Sequence, residues 1–364
     1  MASTRILRQL SVGCGLIGLI GLIGLPGCSG ATAPLQQGIT PVSVAAGFLH
    51  TCALTSHGEV WCWGWGERGQ LGLDTPRVSS PIRVPLAGIA RLAAGKDNTC
   101  AVRGRDRRVL CWGSNLAGQL SASGEDYLAT PVEVFPGRNA RHVSANHDAI
   151  CIVTDAEIVE CRGNDSYFAI TGSRALAGSG YPGRYRSVFV GPLSYCAVST
   201  DHRAYCWGDN NVGQLRRDTL GDRIARPIWM ADSVSTIAVE RSYSCAVLLD
   251  GGLRCWGREF PDDSNRVELH SGVGRLMGIA MGVLTTWLLN EDGLVWSLGH
   301  ALEGVAGPDA GTINTAFQAR EITAGFSHAC ALADDGGVWC WGSNQEGEVG
   351  TDDSPSRVPE RVFP

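Results

Sequence analysis

The sequence is poor in charge and has almost no lysine. Only 18% of its 364 residues are charged, and Lys96 is the single lysine. The formal net charge of −6 argues against non-specific nucleic-acid binding, because a phosphate backbone attracts basic proteins. A hydrophobic fraction of 44% is nevertheless ample for a folded core, so the low charge does not indicate disorder.

The familiar motifs of catalysis and metal binding are also absent. There is no nucleophile elbow, no P-loop and no H-E-x-x-H pattern in the sequence. Most cysteines recur as Cys-x9-Cys, which is too long and too regular for a usual zinc half-site. We therefore expect no enzyme, no catalytic residue, no cofactor and no metal site.

The N-terminal segment is typical of targeting. An apolar run from Leu10 to Gly24 follows a basic start and is short for a membrane span. It ends in the stretch Leu25 to Cys28, which resembles the bacterial lipobox. The resemblance implies removal of residues 1–27, lipid attachment at Cys28 and a polar tether over residues 28–40. An ordinary secretory signal is the alternative.

A short stretch recurs seven times, and its clearest copy runs from Ala324 to Gly342. Two apolar runs flank the turn Asp334–Gly336, which predicts a β-hairpin with a three-residue loop. This loop places Gly336 in the left-handed region and sets Cys330 opposite Cys340. Directly opposed residues in antiparallel strands have Cα atoms about 4.5–5.5 Å apart, which a disulfide spans.

The other copies repeat this arrangement, and the turn glycine recurs as Gly58, Gly251 and Gly293. The sixth copy has Trp287 and Ser297 at the cysteine positions, so both cysteines are missing together, as a covalent pair requires. Twelve buried free cysteines are the alternative, which leaves the joint loss unexplained. The predicted disulfides join Cys52 with Cys62, Cys100 with Cys111, Cys151 with Cys161, Cys196 with Cys206, Cys245 with Cys255 and Cys330 with Cys340.

The repeat period predicts the fold. Units of 42 to 51 residues are too small to bury a core alone and must stack on one another. Each unit begins with a strand such as residues 42–47, continues through the hairpin and ends in a Pro-led strand such as residues 81–84. Four short strands form the blade of a β-propeller. We predict one all-β domain, a seven-bladed β-propeller, over residues 41–364.

The loop after the hairpin carries a longer pattern. It runs from Gly64 to Leu71 in the first copy and from Gly342 to Val349 in the last. With Ala-Gly-x-x-His before the hairpin and Trp-Gly after it, the unit resembles the regulator of chromosome condensation repeat. The resemblance implies a seven-bladed propeller with a habit of binding proteins. The family includes a nuclear exchange factor for a small GTPase and secreted bacterial inhibitors of β-lactamases, but a fold does not fix a target.

The hairpin tips are candidate binding residues, because equivalent positions of the repeats lie on one face and form a rim. The second tip is basic and carries Arg105 and Arg107, whereas the tips of the third to seventh copies carry acidic residues. Such a rim can steer a partner. The alternative is that turns simply favour Asp and that the tips are solvated. The acidic tip residues are Asp155, Glu157, Asp201, Asp250, Glu291, Asp292, Asp334 and Asp335.

A long connection, Asn164 to Arg186, follows the third copy. Aromatic side chains in an exposed loop on a rigid scaffold are typical of a contact surface. They can equally pack over the third blade, which lacks its tryptophan, and both interpretations stand. The aromatic residues are Tyr167, Phe168, Tyr181 and Tyr185.

Two histidines stand out by position. His50 and His328 occupy the same place in the first and last repeats, which adjoin once the ring closes. A two-histidine metal site is one interpretation. We favour the other, in which each histidine hydrogen-bonds the backbone at the edge of its blade.

These features predict an extracytoplasmic binding protein. Six disulfides require an oxidising compartment, which agrees with the targeting segment, and Ser29 after Cys28 fits the sorting of such lipoproteins to the outer membrane. We predict a monomeric propeller, anchored in the cell envelope by its N-terminal lipid, that binds an unknown protein partner through its rim loops. A cell-envelope enzyme, a β-lactamase inhibitor and, by family analogy, a guanine-nucleotide exchange factor are the alternatives.

Overall fold

The computed structural model describes the chain from Gly38 onward as β-strands joined by turns. No helix among the described residues is long and apolar enough to cross a membrane. Cys28, Tyr167, Phe168 and Tyr181 lie outside the described residues. The described ranges are 38–121, 123–146, 148–163, 174–176, 184–215, 224–257, 266–267, 273–283, 285–298, 311–312, 316–351 and 355–363.

The described strands form seven antiparallel sheets of four strands, each in sequence order. The predicted all-β, seven-bladed β-propeller with four-stranded blades is therefore confirmed. The first four blades are β1 (Pro41–Ala46), β2 (His50–Thr55), β3 (Val60–Trp65) and β4 (Arg77–Arg83); β5 (Ile89–Ala94), β6 (Asn98–Arg103), β7 (Val109–Ser114) and β8 (Tyr127–Glu133); β9 (Ala140–Ala145), β10 (Ala149–Thr154), β11 (Val159–Gly163) and β12 (Arg174–Leu176); and β13 (Tyr185–Val190), β14 (Ser194–Ser199), β15 (Ala204–Gly208) and β16 (Ile224–Ala231).

The remaining blades complete the ring. The first strand of each blade contacts the first strand of the next, and the first strand of blade seven contacts β1, so the first strands surround the axis. In the part of the chain that the structure describes, the seventh blade, like the others, consists of four consecutive strands. The last blades are β17 (Val234–Val239), β18 (Tyr243–Leu248), β19 (Leu253–Gly257) and β20 (Arg266–Val267); β21 (Leu276–Met281), β22 (Thr286–Asn290), β23 (Val295–Leu298) and β24 (Gly311–Thr312); and β25 (Ala319–Ala324), β26 (His328–Ala333), β27 (Val338–Gly342) and β28 (Ser356–Arg361).

The second strand of each blade is buried on both faces. Every residue of β2, β10, β14, β18 and β26 is buried. A strand in a stacked sheet has neighbouring blades above and below it, so side chains of both orientations leave water. This explains why these stretches are continuously apolar or small rather than alternating, as in strands covered on both faces.

The predicted hairpin register is confirmed. Cys330 pairs with Cys340, and Leu332 pairs with Val338. All six predicted disulfides are present, each with Cα atoms 4.1 Å apart. Gly336 has a φ of +85°, as the three-residue loop requires.

Three tips adopt the left-handed conformation without glycine. The equivalent residues Arg107, Glu157 and His202 have φ values of +54°, +63° and +65°, a conformation that costs roughly 1–2 kcal/mol for a residue with a Cβ. The carbonyl of each accepts a hydrogen bond of 2.8 Å from the first residue of the next blade. The strained turn therefore helps to hold neighbouring blades together.

The fourth strand begins earlier than the sequence indicated. In the first blade, β4 starts at Arg77, and Pro81 lies within the strand rather than at its start. The register against β3 shifts between Cys62 and Gly64. Proline has no N–H to donate, and it is tolerated on an edge strand or at such an irregularity.

Blade six is held without a disulfide. Trp287 and Ser297 occupy the paired positions, as predicted. Trp287 is 3% exposed and packs edge-on against Trp341 of blade seven, with ring centroids 5.4 Å apart. The contact is thus with the adjoining blade.

The two repeat-position histidines bond across blade seams, which corrects the expectation that they bond backbone. His328 Nε2 lies 2.9 Å from Thr51 Oγ1, and His50 Nε2 lies 2.9 Å from Thr99 Oγ1 of the next blade. The glycine of the Ala-Gly-x-x-His pattern makes room for the ring, because a Cβ at Gly47 would lie 2.1 Å from the His50 ring.

Candidate functional site

The candidate site is a cluster of arginines at the hairpin tips of blades two to four, here called the arginine rim. One member ends β6, three come from the turn between β6 and β7, one lies at the start of β9 and one is the residue before β13. The tips stand at the ends of rigid hairpins, which positions these side chains. The members are Arg103, Arg105, Arg107, Arg108, Arg141 and Arg184.

The second tip is ordered by its own carboxylate. Arg103 donates to both oxygens of Asp106, at 2.9 and 2.7 Å. Those hydrogen bonds from Arg103, despite an opposing effect of burial, lower the pKa of Asp106 to about 2. Arg108 donates to both oxygens of Glu133, at 2.6 and 2.7 Å. Arg103 pairs through two nitrogens, Nε and Nη2, which fixes its guanidinium plane, whereas Arg108 uses Nη1 alone.

Ion pairs also link the tips of adjacent blades. Arg107 donates to Asp155 of blade three. Within blade three, Arg141 at the start of β9 lies 3.0 Å from Glu157 and 3.4 Å from Asp155. Arg184, which precedes blade four, lies 3.5 Å from Glu157. Asp155 and Glu157, which the sequence assigned to an acidic rim, thus lie within the arginine rim.

The network leaves a surplus of positive charge facing water. Six guanidinium groups meet four carboxylates, and the side chains of Arg105 and Arg184 are each 77% exposed. Arg105 approaches Asp106 only loosely, at 3.7 Å. Guanidinium groups stay charged at any physiological pH and present planar donor forks to carboxylates. The arrangement is suited to binding an anionic surface, whereas a proton-transfer role does not suit arginine.

The other acidic tips make contacts within their own blades. Asp335 lies 3.0 Å from Arg361, and Asp201 lies 3.4 Å from Arg203. Asp250 accepts a hydrogen bond of 2.8 Å from the backbone N–H of Gly252. The Asp250 contact, and an equal one of 2.8 Å from the Gly337 N–H to Asp335, are those that turn chemistry predicts.

Tyr185 is not a surface residue, which corrects its assignment as a binding candidate. It is the first residue of β13 and is 0% exposed. Its ring packs edge-on against Tyr205 at 6.3 Å, and its N–H donates to the Glu157 carbonyl at 2.8 Å. Pairing with β14 directs the side chain into the core. The packing alternative therefore applies to this aromatic.

Among the residues that the structure describes, no three His, Cys, Asp or Glu side chains are close enough to hold a metal ion. Each of the two repeat-position histidines is engaged in its own seam. Sequence reasoning did find Arg105 and Arg107, but it missed Arg141 and Arg184. Their repeat positions at the tip-side start of a blade were the available signal. Arg141 lies beside the tip of its own blade three, and only the stacking of blade four on blade three brings Arg184 to that same tip.

Comparison with known proteins agrees with the repeat pattern. The model of the regulator of chromosome condensation (RCC1) repeat matches residues 42–70, 89–119, 185–214 and 319–348, and a second model of the same repeat matches residues 57–102. These matches lie in blades one, two, four and seven. The chain therefore carries RCC1 repeats in a seven-bladed β-propeller.

Curated relatives share the repeat at modest identity. The chain is 27% identical to the ultraviolet-B receptor UVR8 of Arabidopsis thaliana over 84% of its length and 66% of the receptor's. It is 22% identical to the regulator of chromosome condensation of Drosophila melanogaster, over 73% of this chain and 55% of that protein, and 24% identical to the Mus musculus protein, over 88% and 76%.

Solved structures share the fold. Human WBSCR16 matches with a TM-score of 0.72 at 23% identity, over 84% of this chain and 94% of that one. Prp20p from Saccharomyces cerevisiae matches with a TM-score of 0.70 at 20% identity, over 84% and 86%. At these identities the likeness establishes the fold alone.

Proposed function

We propose that this chain, a seven-bladed propeller of RCC1 repeats, is a protein-interaction scaffold that binds an acidic partner through the arginine rim. The observation that carries the proposal is the cross-blade ion-pair network, which fixes the tips of blades two and three and leaves Arg105 and Arg184 exposed. Preordered charges lose little conformational freedom when a partner binds.

Protein binding is a property of solved relatives. Prp20p was characterised for its binding to Gsp1p and histones, and yeast RCC1 (Prp20) was solved in complex with Kap60. A habit of binding proteins is what we carry over to this chain. The partner itself is not carried over, because the sequence identity is low and the rim residues belong to this chain.

Charge reversal on the rim tests the proposal. The double variant Arg105→Glu with Arg184→Glu should weaken capture of the partner from an envelope extract about tenfold, since two exposed charges reverse sign. Capture of the partner by the unaltered protein should also weaken with added salt. The melting temperature should change little, because both side chains are largely exposed.

A matched control separates the rim from general charge. Arg226→Glu reverses one exposed arginine on β16 and is compared with Arg105→Glu alone, so that the net charge changes equally in both. The Arg226 variant should leave capture unchanged. If both variants weaken capture equally, the binding is a response to net charge, and the rim is not the docking surface.

We further propose that the scaffold is anchored by a lipid on Cys28 in the cell envelope, at the outer membrane. The lipobox-like stretch supports the anchor, and the six disulfides support an oxidising compartment. In this arrangement the scaffold holds its partner at a membrane surface.

The anchor has its own test. Cys28→Ala should move the protein from the membrane fraction to the soluble fraction, or leave it unprocessed, and mass spectrometry should find no acyl modification. Cys14→Ala, which changes the other cysteine outside the six pairs, is the matched control and should stay in the membrane fraction. A Cys28 variant that has lost residues 1–27 and still fractionates with the membrane would exclude lipidation at this residue as the anchor.

A further inference from the structure

A second surface lies at the end of the strands opposite the hairpin tips, where the loops between first and second strands meet around the axis. We call Phe48, Lys96, Val283 and Phe326 the axial mouth. Backbone hydrogen bonds connect its members. The Val283 N–H donates to the Phe326 carbonyl at 3.4 Å, the Phe326 N–H to the Phe48 carbonyl at 3.0 Å, and the Phe48 N–H to the Lys96 carbonyl at 3.2 Å. These bonds fix four loops of blades six, seven, one and two relative to one another.

The axial mouth combines an apolar platform with one cation. The Phe48 and Phe326 rings lie 4.3 Å apart, and Phe326 is 37% exposed. Lys96 Nζ stands 5.4 Å from the centre of the Phe48 ring, so the only lysine of the chain is placed here. The neighbouring Asp97 is 9% exposed and has interactions of its own. A ligand that carries an apolar group near a carboxylate complements this surface. Its apolar group would pack on the two aromatic rings, and its carboxylate would pair with the ammonium group of Lys96.

A small pocket opens beside Phe326 between blades six and seven. Its volume of about 10 Å³ holds roughly one oxygen-sized group. Trp341 lines it, is fully buried, and its indole N–H has no acceptor among the described residues. The equivalent Trp63 and Trp112 donate to a backbone carbonyl of the preceding blade, at 3.0 and 2.8 Å. The indole N–H of Trp341 is thus a donor without a partner at the position where Trp63 and Trp112 bind a carbonyl oxygen.

His328 adds an acceptor to the same pocket. Thr51 donates its hydroxyl proton to the Glu348 carbonyl at 2.9 Å, so His328 Nε2 must be the donor in its contact with Thr51. Nδ1 of His328 then carries a lone pair, and it has no described partner. Burial lowers the pKa of His328 to about 3, which keeps the ring neutral. A single peptide carbonyl oxygen fits a pocket of this size and complements the Trp341 donor.

We propose that the axial mouth binds an extended peptide segment of a partner protein, in which an apolar residue precedes a carboxylate by a few residues. A peptide carbonyl enters the pocket and accepts from Trp341, the apolar side chain covers Phe48 and Phe326, and the carboxylate meets Lys96. This site is independent of the arginine rim, because the tips and the axial mouth lie at opposite ends of the strands.

The single lysine makes the test direct. Reductive methylation with a 13C label keeps the charge and gives one lysine NMR signal, which Lys96→Met identifies by its loss. The probe is the peptide acetyl-Phe-Gly-Gly-Glu-amide, with the Gln peptide and the Gly-Gly-Gly-Glu peptide as controls. The Glu probe should shift both the Lys96 signal and the Trp341 indole signal in one saturating titration. Lys96→Met should weaken the Glu probe about threefold and leave the Gln peptide unchanged.

Trp341→Phe tests the pocket and should weaken all peptides alike. Trp256→Phe is its matched control, since Trp256 is also buried with an unpaired indole N–H but does not line this pocket. Melting curves confirm that each variant is folded, and Lys96→Met stands as the test if Trp341→Phe is not. Equal shifts with acetate alone would reduce the site to an anion site and overturn the proposal. Absence of any shift at the solubility limit of the Glu probe would overturn it as well.

Discussion

Reduction of the six hairpin disulfides is expected to loosen the blades that contain one, which are blades one to five and blade seven. Blade six, which has no disulfide, should change least. Each disulfide closes a loop of 10 or 11 residues, which corresponds to roughly 2–3 kcal/mol in the chain-entropy model. The six contributions do not simply add, because the unfolded chain keeps local structure. The effect is local, because blades contact mainly their neighbours.

Hydrogen exchange with mass spectrometry measures this blade by blade. The cysteine side chains are almost completely buried, so the protein is reduced in denaturant and refolded with reductant present. Amides of the second and third strands should lose protection in every blade with a cysteine pair. Strands β22 and β23 are the internal control, since Trp287 and Ser297 already replace the pair.

Two outcomes contradict this prediction. If blade six loses as much protection as the others, the disulfides act on the whole ring rather than on single hairpins. If peptide mapping of the unreduced protein finds links between blades, the hairpin register itself is wrong.

Acid is expected to destabilise the propeller because its seam histidines are buried in neutral form. Burial, with a smaller contribution from the His328 charge, lowers the pKa of His50 to about 3, and burial alone lowers the pKa of His328 to the same value. The unfolded chain binds protons below pH 6.5 while the folded chain does not, so stability is lost as the pH falls from 6.5 towards 3. At pH 5 the two histidines together account for about 4 kcal/mol.

Other buried groups also affect how steeply the free energy of unfolding depends on pH. Burial, and then the charges of Arg91 and Arg186, lower the pKa of His142 to about 4, so His142 acts in the same direction. Glu321 acts in the opposite direction, because burial raises its pKa to about 7. Its folded form holds a proton that the unfolded form loses above pH 4.5, so Glu321 adds stability as the pH falls from 7 to 4.5.

Denaturant unfolding at pH 7 and pH 5 checks the acid prediction. The double variant His50→Asn with His328→Asn uses the side chain that blade two carries at this position, Asn98. It should lose less stability between the two pH values than the unaltered protein, by about two protons in the slope. Glu321→Gln is the control and should steepen the loss. Identical pH profiles for the double variant and the unaltered protein would contradict a role for the seam histidines.

The hairpin was predictable because its causes are local. Loop length and alternation set Cys330 opposite Cys340, and the joint replacement at Trp287 and Ser297 identified the pair as covalent. The start of β4 was less predictable. Where an edge strand begins depends on the irregularity opposite Cys62 and Gly64, and a register shift leaves no pattern in the strand's own sequence.

Tyr185 shows a second limit. The sequence placed it among Gly and Ser in a long connection, where exposure and packing were equally reasonable. Its burial follows from pairing with β14 and from contact with Tyr205, which lies twenty residues away. An aromatic at the start of a strand is assigned to one face or the other by the register, and the connection alone does not fix it.

The sequence by itself determined the repeat, the blade count, the hairpin register and the six disulfides. The register and the disulfides depend on residues within about a dozen positions of one another, and the blade count follows from the recurrence of the unit along the chain. The tertiary structure decided the rest. Closing the ring brings Arg107 beside Asp155, Arg184 beside Glu157, and His328 beside Thr51. It also offsets the conformational cost of the left-handed turn at Arg107, Glu157 and His202, because the carbonyls of these residues accept hydrogen bonds from the next blade. Contacts between blades join residues tens to hundreds of positions apart, so only the folded ring specifies them.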